Sequence, residues 1–458
     1  MSEYVQQTFS FYTNPGIVNI DVSDMCRNSG AITSNDNTIS SKDKHFHNWY
    51  RFVLSYPPHL VRDYINDFGL NENTVLLDPF CGTGTTLVEA KLNQIPSFGL
   101  EANPFPHFAS CVKTNWNVNP SKLQTFAEEV AEHTYNILAA QGIDDKVLTC
   151  DPNIKLKTLD PKATRALITN SISPLPLHKS LVLLEQLEQY KNSELYNYGL
   201  LALGKALVSH IGNLRFGPEV GVGKIKRDVQ VVSSWSHEIK KMVNDLKRVT
   251  GRNFPSAKVL LADARNIKMH IAPDSVDAII TSPPYPNEKD YTRTTRLESV
   301  ILGFFTTMPQ LRTHKKRLLR SNTRGVYKLD DDDRWVDDNL RIQDLAAKIE
   351  NRRIELGKTS GFEKMYARVT KLYFGGMARH LTELTHILKP GARLAYVVGD
   401  QASYLRVLIQ TGELLAEIAD DIGYEVQRID LFRTRFATST KAELREEVVV
   451  LRWPGGQL

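Results

Sequence analysis

A doubly wound, mostly parallel α/β sheet is the fold this chain predicts, and three observations predict it. Val75-Leu76-Leu77-Asp78 is an apolar strand running into the glycine-rich turn Pro79-Phe80-Cys81-Gly82-Thr83-Gly84-Thr85-Thr86, which opens a helix at Leu87. Ala278-Ile279-Ile280-Thr281 is a second apolar strand, stopped by Ser282-Pro283-Pro284-Tyr285 because neither proline can donate to a strand ladder. Strand and helix patterns alternate around both, and each special turn falls at a strand end. Ligands of such sheets sit beyond the carboxyl ends of the strands, where strand order reverses. Two turns so placed can share one site.

The first turn is made for a nucleoside. Gly82 and Gly84 let the backbone approach a ligand where a Cβ would collide. No lysine follows the second glycine, so the turn is not a phosphate-binding P-loop, and the third glycine of the dinucleotide fingerprint is missing. The next strand, Ser97-Phe98-Gly99-Leu100, ends at Glu101, roughly 20 residues on, where a carboxylate can accept from ribose hydroxyls. A nucleoside lacking a pyrophosphate fits, and S-adenosylmethionine is the candidate. The second turn offers a hydroxyl, a proline carbonyl and a flat ring to one small planar group, such as the exocyclic amine of a nucleobase. A bland strand-end turn is its plain alternative.

Together, Asp78-Pro79-Phe80-Cys81-Gly82-Thr83-Gly84-Thr85-Thr86 and Thr281-Ser282-Pro283-Pro284-Tyr285 resemble the DNA amino-methyltransferases, which act on cytosine N4 or adenine N6. The Ser form of the tetrad is typical of the N4-cytosine members. The resemblance extends to Leu54-Ser55-Tyr56-Pro57-Pro58-His59-Leu60-Val61, to Leu260-Leu261-Ala262-Asp263-Ala264, and to the late helix–turn–strand from Leu388 to Asp400, roughly half the chain. It implies a Rossmann-like methyltransferase sheet and S-adenosylmethionine as cofactor. Tyr56 or Pro57 would meet the methionine end, and Asp78, Pro79, Phe80, Cys81, Gly82, Gly84 and Thr85 would form the cofactor loop. Glu101 would take the ribose, with Asp263 and Ala264 at the adenine. Ser282, Pro283, Pro284 and Tyr285 would be catalytic. Cys81 departs from the expected small polar residue and is read as neutral packing. Double-stranded DNA is the implied partner, with a cognate restriction endonuclease as a candidate companion.

Composition agrees with this reading. Of 458 residues, 41% are hydrophobic and 24% charged, ordinary values for a globular protein. No long apolar run predicts a membrane span. The start, Met1-Ser2-Glu3-Tyr4, has no export signal, so a cytoplasmic, nucleoid-associated enzyme is expected, favoured as a monomer. Cys26, Cys81, Cys111 and Cys150 form no close pair, which suits reduced thiols and predicts no metal site. A net charge of +5 permits nucleic-acid binding without establishing it.

Along the chain, residues 1–40 read as a polar arm and 41–118 as the first part of the methyltransferase domain. Residues 119–255 read as a helical insertion and candidate recognition region. Within it, Ser121 is the expected N-cap of a helix to Ala140, Leu200 to Ile211 is another helix, and Arg215, Lys224, Lys226 and Arg227 lie in a glycine-rich loop suited to phosphates, or in a solvated connection. Residues 256–307 hold the catalytic part, with a helix expected from Tyr291 to Phe305. The charged insertion 308–361 offers Lys315, Lys316, Arg317 and Arg320 to DNA, or to its own acidic stretch Asp330 to Asp333. Residues 362–458 close the sheet with an antiparallel edge hairpin near Glu425 to Leu431 and Glu447 to Leu451. His45, His47 and Asp400 read as structural.

The exocyclic amine of cytosine is a poor nucleophile, since its lone pair is delocalised into the ring. Ser282 Oγ and the Pro283 carbonyl would hold its N–H bonds while Tyr285 stacks on the extruded base. Positioning of this kind contributes roughly 7–11 kcal/mol, and base extrusion costs a few kcal/mol. Methylation at C5 would need a nucleophilic cysteine after a proline, and no Pro-Cys pair exists. N6-adenine methylation, an RNA amino-methyltransferase and a catalytically silent relative remain as alternatives.

Overall fold

The computed structural model describes residues 41–51, 55–150, 153–217, 219–287, 289–437 and 442–456. The polar arm 1–40 with Cys26 lies outside the described residues, as do Leu54 and Pro218.

Seven strands form the main sheet: β1 Leu76–Asp78, β2 Ser97–Glu101, β3 Ala257–Leu261, β4 Val276–Thr281, β5 Leu388–Gly399, β6 Glu425–Ala437 and β7 Ala442–Arg452. Their spatial order is β6-β7-β5-β4-β1-β2-β3. All neighbours are parallel except β7, which runs antiparallel to both β5 and β6. The chain therefore steps from β1 out through β2 and β3, then returns to the far side of β1 as β4. That reversal makes the gap between β1 and β4 the switch point.

The central strands are apolar on both faces because both faces are covered. Leu76, Ala278 and Ile280 pack with Leu60, Val61, Tyr64 and Ile65 of α1 (Pro58–Asp67) and Ala90 of α2 (Thr85–Leu92). Their sequence neighbours Leu77 and Ile279 point the other way, into a second core. The period-2 alternation of a strand thus serves two helical layers.

Beyond β2, α3 (Pro104–Thr114) leads into the helical insertion, built from α4 (Pro120–Ala140), α5 (Pro174–Glu188), α6 (Leu195–Ala206) and α7 (Val231–Val249). Phe126, Leu201 and Trp235 of the insertion share one core with Phe105 and Val112 of α3 and with Leu297. Phe46, Trp49 and Tyr50 join the same core. Asp245 on α7 holds that segment by accepting from the Phe46 N–H (3.0 Å) and the Trp49 indole (2.9 Å), with the His45 ring at 2.6 Å.

Several local expectations are corrected. Asn119, not Ser121, caps α4, its side chain accepting from the Ser121 and Lys122 amides. The helix to Ile211 ends at Ala206 and continues as a π turn, Leu207–Ile211. Two short helices, Tyr291–Thr294 and Arg296–Ile301, replace the single one expected there. The glycine-rich loop contains a hairpin, Leu214–Phe216 against Val220–Val222. The closing strands are longer than expected, and only β6 is an edge, because β7 is inserted between β5 and β6.

In the second insertion a helix, Met308–Lys316, precedes α8 (Leu340–Glu355). Its acidic stretch is not simply solvated. Asp332 is 4% exposed, lying flat on Gly375 and Gly376 of α9 (Tyr366–Leu384). A Cβ on Gly375 would stand 1.9 Å from the Asp332 carbonyl oxygen, so only glycine allows this approach. The buried carboxylate is matched by Arg265 and by Arg379 at 3.3 Å.

Candidate active site

The glycine loop leaves β1 with its carbonyls turned away from the ligand side. Gly84 N–H donates to the Cys81 carbonyl (2.7 Å), Ser110 Oγ to that of Gly82 (2.7 Å), and Lys113 Nζ to that of Thr83 (2.6 Å). Gly82 and Gly84 both take positive φ, 51° and 80°. A Cβ on Gly84 would also press on Ser110 Oγ at 3.0 Å. Cys81 is buried and packs over Gly99, where a Cβ would come within 3.0 Å of its sulfur.

Asp78 and Thr281 join the two motifs directly. The Thr281 hydroxyl donates to Asp78 Oδ1 at 2.6 Å, and the Phe80 amide reaches the same oxygen at 3.1 Å. Tyr56 donates to Asp78 Oδ2 at 3.1 Å and also meets Thr86 Oγ1, which in turn donates to the Ile280 carbonyl at 3.1 Å. Burial pushes the Asp78 carboxyl up to about 6 against the pull of these donors. Glu101 is half-buried and accepts from the Asn103 amide at 2.7 Å. Burial raises it to about 7, although the amides of Asn103, Gly82 and Ala102 favour its charged form.

At the second turn, Ser282 Oγ donates to the Val397 carbonyl of β5 at 3.0 Å. Its proton is thereby committed to the protein, so its lone pairs are what it can offer a ligand. Tyr285 lies against Gly399, where a Cβ would come within 2.9 Å of the ring, and the Tyr291 hydroxyl approaches its amide at 3.2 Å.

Both turns open on one cavity of about 560 Å³, within the roughly 300–1,000 Å³ usual for small-molecule sites. Tyr56, Pro79, Phe80, Cys81, Gly82, Thr85, Glu101, Asp263 and Ala264 line it together with Ser282, Pro283, Pro284 and Tyr285. Pro57, Asp78 and Gly84 do not. Asp78 is fully buried and braces the rim from behind. Asp263 faces the cavity while both its oxygens take the Arg265 guanidinium, at 3.0 and 2.6 Å.

Of the basic residues expected at DNA, Arg215, Lys224, Arg227, Lys316 and Arg317 are exposed. Three turn inward instead. Arg320, 4% exposed, is held by Asp330 at 2.8 and 2.9 Å and by the carbonyls of Lys315 and Lys316. Lys315 pairs with Asp290 at 2.5 Å, and Lys226 donates to the carbonyls of His210 and Gly212. Such a side chain must break its own bonds before it can reach a phosphate. Cavity residues that the sequence gave no reason to single out include Arg51, Lys205, Phe216, Lys289, Asn322 and Arg435. They come from segments whose meeting depends on the fold, and no local pattern marks them.

No metal-binding group of three or more His, Cys, Asp or Glu side chains occurs among the described residues, and none of the described helices is long and apolar enough to cross a membrane. The left-handed glycine turn and the Glu101 carboxylate on the cavity wall fit S-adenosylmethionine by shape and donor set. A sheet of this order, with these two turns at its switch point, defines a methyltransferase whose methyl donor is S-adenosylmethionine.

Comparison with known proteins narrows the class. Residues 24–107 match a DNA methylase family of the N6/N4 type. The type II methyltransferase M.BsoBI of Geobacillus stearothermophilus is 26% identical over 440 residues, covering 90% of this chain and 85% of that one. M.AvaI of Nostoc sp. is 24% identical over 453 residues, covering 91% and 88%. Among solved structures, TrmN of Thermus thermophilus matches at 12% identity with a TM-score of 0.30, over 90% of this chain and 53% of that one, a likeness too slight to carry weight. These matches support a DNA amino-methyltransferase of the N4/N6 type.

Proposed function

We propose that the protein methylates the exocyclic N4 amine of cytosine in duplex DNA, as the modification enzyme of a type II restriction-modification system. The observation that carries amine methylation is the hydrogen bond from Ser282 Oγ to the Val397 carbonyl, and the choice of cytosine follows from the Ser form of the tetrad. A hydroxyl whose proton is committed in this way can only accept from an amine at the cavity, and accepting is what an amine with two N–H bonds requires. The type II names of M.BsoBI and M.AvaI support the biological setting.

Each residue then has a role. Ser282 Oγ and the Pro283 carbonyl accept the two amine protons, which draws the nitrogen lone pair out of conjugation and fixes its direction. Tyr285 supplies a flat surface for the extruded base. S-adenosylmethionine, when bound, supplies an electrophilic methyl group. Glu101 would hold its ribose, Asp263 its adenine, and Tyr56 the side bearing the methionine. No separate base is required, because the methylated cationic amine is itself strongly acidic. Alignment contributes most, roughly 7–11 kcal/mol. The exposed cations Lys316 and Arg317, with Arg215, Lys224 and Arg227 of the helical insertion, would follow DNA phosphates.

Nucleoside analysis tests this. Plasmid DNA incubated with the protein and methyl-labelled S-adenosylmethionine, then digested, should carry its label in N4-methylcytosine. Label in N6-methyladenine would overturn the choice of base, and unlabelled DNA the choice of substrate.

A further inference from the structure

Among the described residues, Arg51, Lys113 and Lys205 form a group of cations with no carboxylate in hydrogen-bond contact, Glu238 acting on Lys205 only from a distance. Arg51 and Lys205 line the cavity beside Tyr50, Asn103 and Ser209, and Lys113 lies behind them with no exposed surface. Arg51 donates to the Ser55 carbonyl at 2.9 Å, and Lys113 to that of Thr83 at 2.6 Å. Lys205 has no partner among the described residues. The contrast with Lys179 in the same insertion is sharp: that lysine is as fully buried as Lys113, while Lys205 is half-buried, yet Asp145 and Asp228 hold Lys179 at 3.0 and 2.6 Å. Burying a cation without a counter-charge is costly, so folds seldom leave one unpaired.

The three sense one another. Burial, then Arg51 and Lys205, push Lys113 down to about 7. Lys205 is lowered by burial, with Lys241 and Arg51 adding to the effect and Glu238 opposing it. Glu238 cannot serve Lys205 alone, since it already takes Lys241 at 2.9 and 3.0 Å and has His210 at 3.5 Å. Such a cluster lowers its energy by taking an oxyanion.

We infer that Arg51 and Lys205 form a subsite for one DNA phosphate, at the seam between the catalytic sheet and the helical insertion. The inference rests on the DNA-methylating reading above. Location favours phosphate over the other available oxyanion, the carboxylate of the cofactor's methionine. One turn beyond Lys205, Ser209 and His210 are exposed, so the cation stands where the cavity meets solvent. When a base is extruded, its backbone stays at such a mouth while the ring enters. Phe216, on the hairpin that Arg293 fastens through the Val220 carbonyl at 3.0 Å, lines the same cavity.

The test uses the full chain, plasmid DNA and labelled S-adenosylmethionine over a KCl series. Lys205→Met should lower the salt slope of kcat/KM by about 0.9, one phosphate contact, and raise KM for DNA about tenfold. Its affinity for S-adenosylhomocysteine, measured by calorimetry, should match wild type. Lys205→Arg should restore the slope, and Arg51→Gln should reproduce the loss if Lys205→Met proves unstable. An unchanged slope overturns the subsite. Weakened S-adenosylhomocysteine binding with an unchanged slope overturns it in favour of the cofactor carboxylate. If wild type leaves DNA unlabelled, the reading of function fails first and the subsite with it.

Discussion

The Thr281 hydroxyl donates to Asp78 Oδ1 across 2.6 Å, tying the last residue of β4 to the last residue of β1. This bond fixes the glycine loop and the Ser-Pro-Pro-Tyr turn on one rim, though they lie far apart in the chain. Asp78 also accepts from Tyr56 and from the Phe80 amide, so one buried carboxylate positions three segments. Thr281→Val should leave that carboxylate short of a donor and cost about 1–3 kcal/mol of stability. Urea denaturation measures it, and an unchanged midpoint would count against the brace.

With Glu101 on the ribose, as proposed, cofactor binding should depend on pH. Burial raises it from the ordinary 4.5 to about 7, so a sizeable share is protonated just below neutrality. Ribose hydroxyls donate, and they favour the carboxylate. Affinity for S-adenosylhomocysteine should therefore climb as pH rises through about 7, then level off. In Glu101→Gln the climb should vanish and binding should weaken. Calorimetry from pH 5.5 to 8.5 decides, and an equal climb in the variant would assign it to another group.

Glu298 makes a pH prediction for stability. It is fully buried, with the Tyr50 hydroxyl donating to it, and burial raises it from 4.5 to about 8. Between about 4.5 and 8 the folded protein keeps a proton that the unfolded chain has released. Stability from this group is therefore full below that window, falls as pH rises through it, and is flat above. Glu298→Gln should gain on wild type in melting temperature from pH 5 to pH 8.5. A constant difference would contradict the shift.

The basic run divides by side-chain direction. Lys316 and Arg317 are exposed, so replacing both with Gln should lower the salt slope of DNA binding by about two contacts' worth, roughly 0.9 each. Arg320 is buried on Asp330, and Arg320→Met should instead cost about 3–5 kcal/mol of stability. Filter binding and denaturation separate the two. A slope change of equal size in Arg320→Met would return that residue to the DNA surface.

Both ligand turns could be read from sequence because their chemistry is local. The paired prolines after Ser282 end β4 where they fall, and Gly82 and Gly84 announce a left-handed turn that glycine favours. The direction of a charge was not legible in the same way. Arg320 and Lys315 look like Lys316 in the chain, and only the positions of Asp330 and Asp290 turn them inward. The burial of Asp332 was not legible in the chain, because Gly375 and Gly376, which receive it, lie on another helix. Arg51, Lys205 and Phe216 meet at the cavity only because the insertion shares the core of Phe105 and Trp49.

The proposed cofactor cradle and amine grip are separate parts of one cavity. Single-turnover methyl transfer by Ser282→Ala, measured beside its S-adenosylhomocysteine affinity, tests this most directly. Losing the one acceptor should slow transfer by about a hundredfold or more, the scale of removing one aligned polar contact in a catalytic site, with affinity unchanged. Transfer at the wild-type rate, or a matching collapse of cofactor binding, would contradict it.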